Sequence, residues 1–102
     1  MRLFELAKTI RSKNAGVDRI TFDVICNDKT CYERVRSSGV LSLPAICRIF
    51  GIGPDRITDY VEFDPANAIK FTIRRTSPSG SPGDADVFGS QQYAPLLDLD
   101  VP

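Results

Sequence analysis

Residues 19–26, RITFDVIC, decide the fold of this chain of 102 residues. Polar and apolar side chains alternate along them, which is typical of a β-strand with one buried face. Thr21 and Asp23 lie on the polar side, so we expect them to point away from the core. The apolar side is expected to carry Ile20, Phe22, Val24 and Cys26.

Two later stretches, ITDYVEF at 57–63 and AIKFTIRR at 68–75, alternate in the same way, and the DPAN segment between them has the composition of a hairpin turn. This alternation indicates a sheet that is covered on one side only, as antiparallel and mixed sheets are. One face of the first stretch is predicted to bury Ile57, Val61 and Phe63. One face of the second is predicted to bury Ile69, Phe71 and Ile73, with Lys70, Thr72 and Arg74 opposite.

The chain on either side of these strands is expected to add two more. The opening residues fit either a short turn of helix or an extended segment that runs into a strand over about residues 8–12. The SKNAG segment then supplies turn residues, with Gly16 free to adopt a positive φ. A final short strand is predicted near the other end, where aspartates alternate with Leu97, Leu99 and Val101.

Two helices are predicted between the second and third strands. The first covers about residues 29–38, is capped by Asn27 or Asp28, and ends at Gly39. A capping box that begins at Thr30 is the alternative and would place the cap about two residues later.

The second helix starts at Ser42, has Pro44 in its first turn, and stops at Gly51. Its buried stripe, which includes Ile49, is expected to pack on the aromatic side chains of the sheet. That cluster is expected to contain Phe22, Phe63, Phe71, Ile46 and Phe50. Residues 1–102 are therefore predicted to form one α+β sandwich, with two helices on one face of a largely antiparallel sheet.

Charge and residue usage exclude several classes of protein. Thirteen basic and thirteen acidic side chains cancel, whereas binding to nucleic acid or to an anionic membrane normally requires a basic excess. There is no histidine, the most common general base and metal ligand. Three cysteines without a CxxC pair favour reduced, core-packed thiols and a cytoplasmic protein. No signal-peptide core or membrane-length apolar stretch is evident, and we expect no cofactor and no metal.

The IRSKNAG segment is the first candidate binding element. Its side chains and turn amides could bind a carboxylate or a phosphate. The alternative is that the segment is a solvated strand end whose residues only form the turn. The residues concerned are Arg11, Ser12, Lys13, Asn14 and Gly16.

The second candidate is an ordered loop over residues 79–93 that folds back beside the first segment to form one ligand or partner surface. Asp84 and Asp86 either bind a hard cation such as Mg²⁺ or pair with nearby arginines, and Gln91 and Gln92 suit recognition. Separately, Asp64 precedes a proline, so we expect it to close the hairpin turn, the alternative being a catalytic acid.

Three motifs, RSKNAG, FDPANAIKFTI and GDADVFGSQQYAPLL, resemble a small bacterial family of unknown function whose members accompany AtuA-type acyclic terpene utilisation proteins. The layout is also similar to the ferredoxin-fold domain appended to AtuA-type proteins, where an RSGDKG turn replaces RSKNAG. The resemblance implies a ferredoxin-like sandwich and a larger AtuA-like partner, with a small carboxylate or an acyl-CoA as substrate class. It implies no catalytic residue and no cofactor.

Three functions remain open. The first is a small accessory subunit or detached domain of a cytoplasmic complex with the AtuA-like protein. The second is a self-sufficient hydro-lyase that uses Asp84, Asp86 or Lys13. The third is a structural homo-oligomer.

Overall fold

In the computed structural model, which describes residues 1–75 and 93–102, four strands form one sheet in the order β1-β2-β4-β3. All neighbouring strands are antiparallel. The strands are β1 (Ala7–Asn14), β2 (Arg19–Cys26), β3 (Ile57–Phe63) and β4 (Ala68–Arg74). Two sequential hairpins thus join along their second strands, and β2 and β4 occupy the centre of the sheet.

The helices of the described residues are α1 (Leu3–Leu6), α2 (Lys29–Ser38), α3 (Leu43–Phe50) and α4 (Ala94–Leu97). Asp28 caps α2, because its carboxylate Oδ1 accepts a hydrogen bond from the backbone amide of Cys31 at 2.8 Å. The cap is therefore not Thr30. Gly39 and Gly51 end the two long helices with φ of 76° and 64°, as predicted.

The inner face of the sheet, by which we mean the face toward α2 and α3, buries an aromatic cluster. The rings of Phe22 and Phe71 stack with centroids 4.8 Å apart, and Phe50 of α3 lies 5.1 Å from Phe22. Val35 of α2 and Ile46 of α3 are fully buried in the same core. The predicted packing of the sheet aromatics against α3 is confirmed for Phe22 and Phe71.

The predicted burial of Val61 and Phe63 is wrong. The register of β3 against β4 shifts between Ile57 and Asp59, which is a bulge of one residue. A shift of one residue moves every later side chain to the opposite face of a sheet. Consequently Tyr60 packs against the core, while Val61 and Phe63 are 47% and 45% exposed.

The start of the chain adopts the helical alternative, because α1 is a short helix that runs into β1, whereas the bounds of β1 and the other end of the chain differ from prediction. β1 extends to Asn14 instead of stopping near residue 12, so the turn begins only afterwards. The predicted final strand is wrong, because Ala94–Leu97 is helical and only an isolated bridge joins Asp100 to Arg2. Pro95 lies in the first turn of this helix, where its fixed φ favours helical geometry.

The α+β class and the antiparallel sheet are confirmed. The described strands and long helices run strand, strand, helix, helix, strand, strand. Ferredoxin-like proteins instead alternate as β-α-β-β-α-β, so this order does not confirm that finer assignment. None of the helices within residues 1–75 and 93–102 has the length and apolar character needed to cross a bilayer.

Candidate functional site

The outer face of the sheet, turned away from α2 and α3, carries three rows of side chains that run across all four strands. From β1 to β3 the rows read Thr9, Ile25, Ala68 and Phe63; then Arg11, Asp23, Lys70 and Val61; then Lys13, Thr21, Thr72 and Asp59. The first row is mainly apolar, the second mixes charge with an apolar edge, and the third is polar. The outer face therefore changes from apolar to charged along the strand direction.

Asp23 is the centre of this face. It is only 4% exposed although it lies on β2 among polar neighbours. Its Oδ2 accepts a hydrogen bond from Arg11 Nε at 2.9 Å, and its Oδ1 lies 3.9 Å from Lys70 Nζ. That second oxygen is buried without a hydrogen-bond donor. A buried carboxylate requires nearby positive charge, so Asp23 holds Arg11 and Lys70 over the middle of the face.

Positive charge dominates the outer face. Among the described residues of the four strands, five cations outnumber two carboxylates on this face, for a net charge of +3, whereas the whole chain is neutral. The cations are Arg11, Lys13, Arg19, Lys70 and Arg74, and the carboxylates are Asp23 and Asp59. Such a segregated charge creates a local field that favours acidic ligands or protein surfaces.

Two of the three outer-face positions on the edge strand β3 are apolar. Val61 and Phe63 lie about half exposed, beside Lys70 and Ala68 of β4. Large apolar side chains that point to solvent beside a charged region are typical of protein interaction surfaces. This edge exists because of the bulge that follows Ile57.

The residues predicted in IRSKNAG divide between the two faces of β1. Arg11 and Lys13 point outward, and the cross-strand partner of Arg11 is Asp23. Ser12 is buried on the other face, where its Oγ accepts a hydrogen bond from the amide of Tyr93 at 3.1 Å. Arg11, Ser12 and Lys13 therefore do not form one ligand-binding turn in this structure.

The remaining predicted residues have different settings. Asn14 Oδ1 accepts a hydrogen bond from Arg75 at 3.0 Å, and Gly16 adopts a φ of 99° in the turn after β1. Only glycine adopts such a φ without strain, so Gly16 serves the turn. The predicted loop over 79–93 lies almost wholly outside the described residues, together with Asp84, Asp86, Gln91 and Gln92.

A cleft lies between α2 and the turn that joins β3 to β4. Its volume is about 330 Å³, and it is lined by Lys29, Tyr32, Glu33, Asp64, Pro65 and Asn67. The Tyr32 hydroxyl donates a hydrogen bond of 2.6 Å to Asp64 Oδ1. Asp64 thus connects the hairpin turn to the helix, which extends its predicted turn role.

Burial and the neighbouring Asp64 carboxylate raise the pKa of the Tyr32 phenol. Burial is the larger cause, because removing water disfavours the charged phenolate. The phenol consequently stays protonated at neutral pH and acts as a hydrogen-bond donor. Tyr32 itself is 1% exposed, so this donor is fixed in position.

The thiols offer no metal site within the described residues. Cys26 is buried, while Cys31 and Cys47 are partly exposed. Burial raises the pKa of the Cys26 thiol to about 11, which keeps it neutral. In residues 1–75 and 93–102 no group of three cysteine, aspartate or glutamate side chains is placed to hold a metal ion.

Sequence reasoning placed Asp23 and Lys70 on polar faces but missed both as site residues. The available signal was a carboxylate at the centre of an alternating strand, since carboxylates are rarely buried unless paired. Tyr32 was missed as well. Its partner Asp64 is 32 residues away, and no local spacing indicates that contact.

Comparison with protein families gives a match over residues 3–100 to the family described as a domain of unknown function, DUF4387. The chain belongs to this family. No curated protein and no solved structure matches the chain. The family description names no activity and no partner, so the association with AtuA-type proteins stays a prediction.

Proposed function

We propose that this domain is a small accessory subunit that docks through its outer face onto a larger protein. The observation that carries the proposal is the β3 bulge, which turns Val61 and Phe63 outward next to the cations of the central strands. Without the bulge, strict alternation would bury these two side chains. Bulges re-aim side chains at functional positions, and here the re-aimed residues are apolar.

The chemistry of the outer face defines the partner. A complementary surface presents acidic side chains to Arg11 and Lys70 and an apolar pocket to Phe63. Opposite charges steer association and fix the register, while the buried apolar anchor supplies most of the affinity. The neutral chain as a whole does not repel such a partner.

The resemblance described above supplies the identity of the proposed partner, an AtuA-like protein. The complex is proposed to be cytoplasmic and to act on a small carboxylate or an acyl-CoA. In this arrangement the larger protein carries the chemistry. The accessory domain contributes a surface and completes the assembly.

Co-expression with the AtuA-like protein of the same genome tests the proposal. The two chains are expected to co-purify, and Phe63→Ser is expected to weaken the complex by about tenfold or more, as for an interface anchor. Phe4→Ser is the matched control, because Phe4 is 51% exposed and lies on α1, away from the outer face. Equal complex formation by both variants would overturn the docking surface.

Charge reversal provides an independent arm of the same experiment. Lys13→Glu on the outer face should reduce the association rate and its dependence on salt, whereas Arg48→Glu on α3 should change neither. The mass of the isolated chain is measured alongside. A stable homo-oligomer that buries Phe63 would indicate a structural role instead of the accessory role. Turnover of substrate by the chain alone would indicate a self-sufficient enzyme.

A further inference from the structure

We propose that the cleft between α2 and the β3–β4 turn binds a small amino-acid-like zwitterion, a molecule with one ammonium and one carboxylate group. This inference does not rest on the proposed docking function. The cleft of about 330 Å³ lies at the small end of the usual range for ligand pockets. A compact ligand is therefore expected.

Charge pairing in the cleft selects the ligand. Two carboxylates, Glu33 and Asp64, and one ammonium, Lys29, line it. Glu33 is already paired with Arg36 on the next turn of α2. One negative and one positive group, Asp64 and Lys29, are then left to face a ligand.

The ammonium end of the ligand is assigned to Asp64. Tyr32 fixes the position of this carboxylate by donating to Oδ1 at 2.6 Å. Because the phenol is buried and protonated, it occupies Oδ1 and leaves Oδ2 available to a ligand donor. A charge-assisted hydrogen bond from an ammonium group suits this oxygen.

The carboxylate end is assigned to Lys29 and Asn67. Neither side chain has a hydrogen bond or ion pair within residues 1–75 and 93–102. Asn67 is held firmly, because its backbone carbonyl accepts a hydrogen bond from the amide of Cys26 at 2.8 Å. Its side-chain amide and the ammonium of Lys29 both line the cleft as hydrogen-bond donors.

Titrations followed by NMR of backbone amides test the proposal with four probes: glycine, L-serine, lactate and ethanolamine. Glycine or serine is expected to give saturable shifts around residues 29–33 and 64–67. Lactate lacks the ammonium group and ethanolamine lacks the carboxylate, so each is expected to bind at least about tenfold more weakly. The proposal is overturned if neither glycine nor serine gives saturable shifts. It is also overturned if ethanolamine or lactate binds as tightly as the zwitterions.

Variants locate the binding. Asp64→Asn removes the charge but keeps an acceptor for the Tyr32 phenol, so the fold is retained and zwitterion affinity should fall by about tenfold. Lys29→Gln should have a similar effect. Asp55→Asn and Lys8→Gln are matched controls at exposed positions outside the cleft lining. Shifts that persist unchanged in Asp64→Asn would place the ligand elsewhere and refute the assignment.

Discussion

The two faces of one sheet follow different physical rules in this protein. On the inner face, Phe22 and Phe71 stack and are each no more than 2% exposed. Side chains on this face must fit a close-packed core. On the outer face, Asp23 is almost as buried, but it is paired with the oppositely charged Arg11. The same central strands therefore contribute a hydrophobic core in one direction and an ion cluster in the other.

The difference indicates what each face can tolerate. A core side chain loses both its transfer free energy and its packing when it is truncated. An ion pair that is open to solvent on one side is screened, and its loss costs less. The inner face is thus the source of stability, whereas the outer face is free to serve binding.

The largest expected effect comes from Phe71→Ala on the inner face, which should lower the free energy of unfolding by about 3 to 5 kcal/mol. The ring is 1% exposed and contacts both Phe22 and Phe50. Phe63→Ala is the matched control, because its ring is half exposed on the outer face and should cost less than about 1 kcal/mol. Urea titration measures both losses. Similar losses for the two variants would remove the distinction between the faces.

Sequence alternation predicted most of the fold but failed where the alternation is interrupted. It assigned β2 and β4 to the correct faces because both strands are regular along their length. It misplaced Val61 and Phe63 because the bulge after Ile57 is a backbone feature without a glycine or proline to indicate it. The short alternating pattern near Leu97 predicted a strand, but Ala94–Leu97 is helical and has Pro95 in its first turn.

The candidate site was predictable only where its residues are close in the chain. Arg11 and Lys13 were identified as the basic side chains of the IRSKNAG segment, and both lie on the outer face. The acidic partner of Arg11, Asp23, comes from the next strand, and Lys70 comes from a strand 47 residues beyond it. Contacts of this kind depend on strand order, which alternation does not specify.

A second prediction concerns pH and the inner face. Burial raises the pKa of Cys26 to about 11, from an ordinary value of 9.0. The folded state thus favours the neutral thiol, so this stabilisation is fully present below pH 9 and is lost as the pH rises toward 11. A difference of two pKa units corresponds to about 2 to 3 kcal/mol.

Cys26→Ala isolates this contribution. The variant should be less stable than the natural chain at neutral pH but should lose less additional stability between pH 9 and 11. Parallel urea titrations across that range provide the measurement. Equal losses in the two proteins would mean that Cys26 ionises as readily in the fold as in the unfolded chain.

The smallest expected effect belongs to the outer face and concerns Arg11→Ala. Removing the guanidinium leaves Asp23 Oδ2 without its hydrogen bond of 2.9 Å, beside an Oδ1 that already has no donor. Because the Arg11 side chain is 56% exposed, solvent and Lys70 compensate in part, and we expect a loss of about 1 to 2 kcal/mol. Lys13→Ala removes a cation from the same strand face without breaking this pair and should have little effect. A double-mutant cycle with Asp23→Asn then measures the coupling directly. A coupling near zero would mean that Asp23 is buried for a reason other than its two cations, and the charge-based account of the outer face would fail.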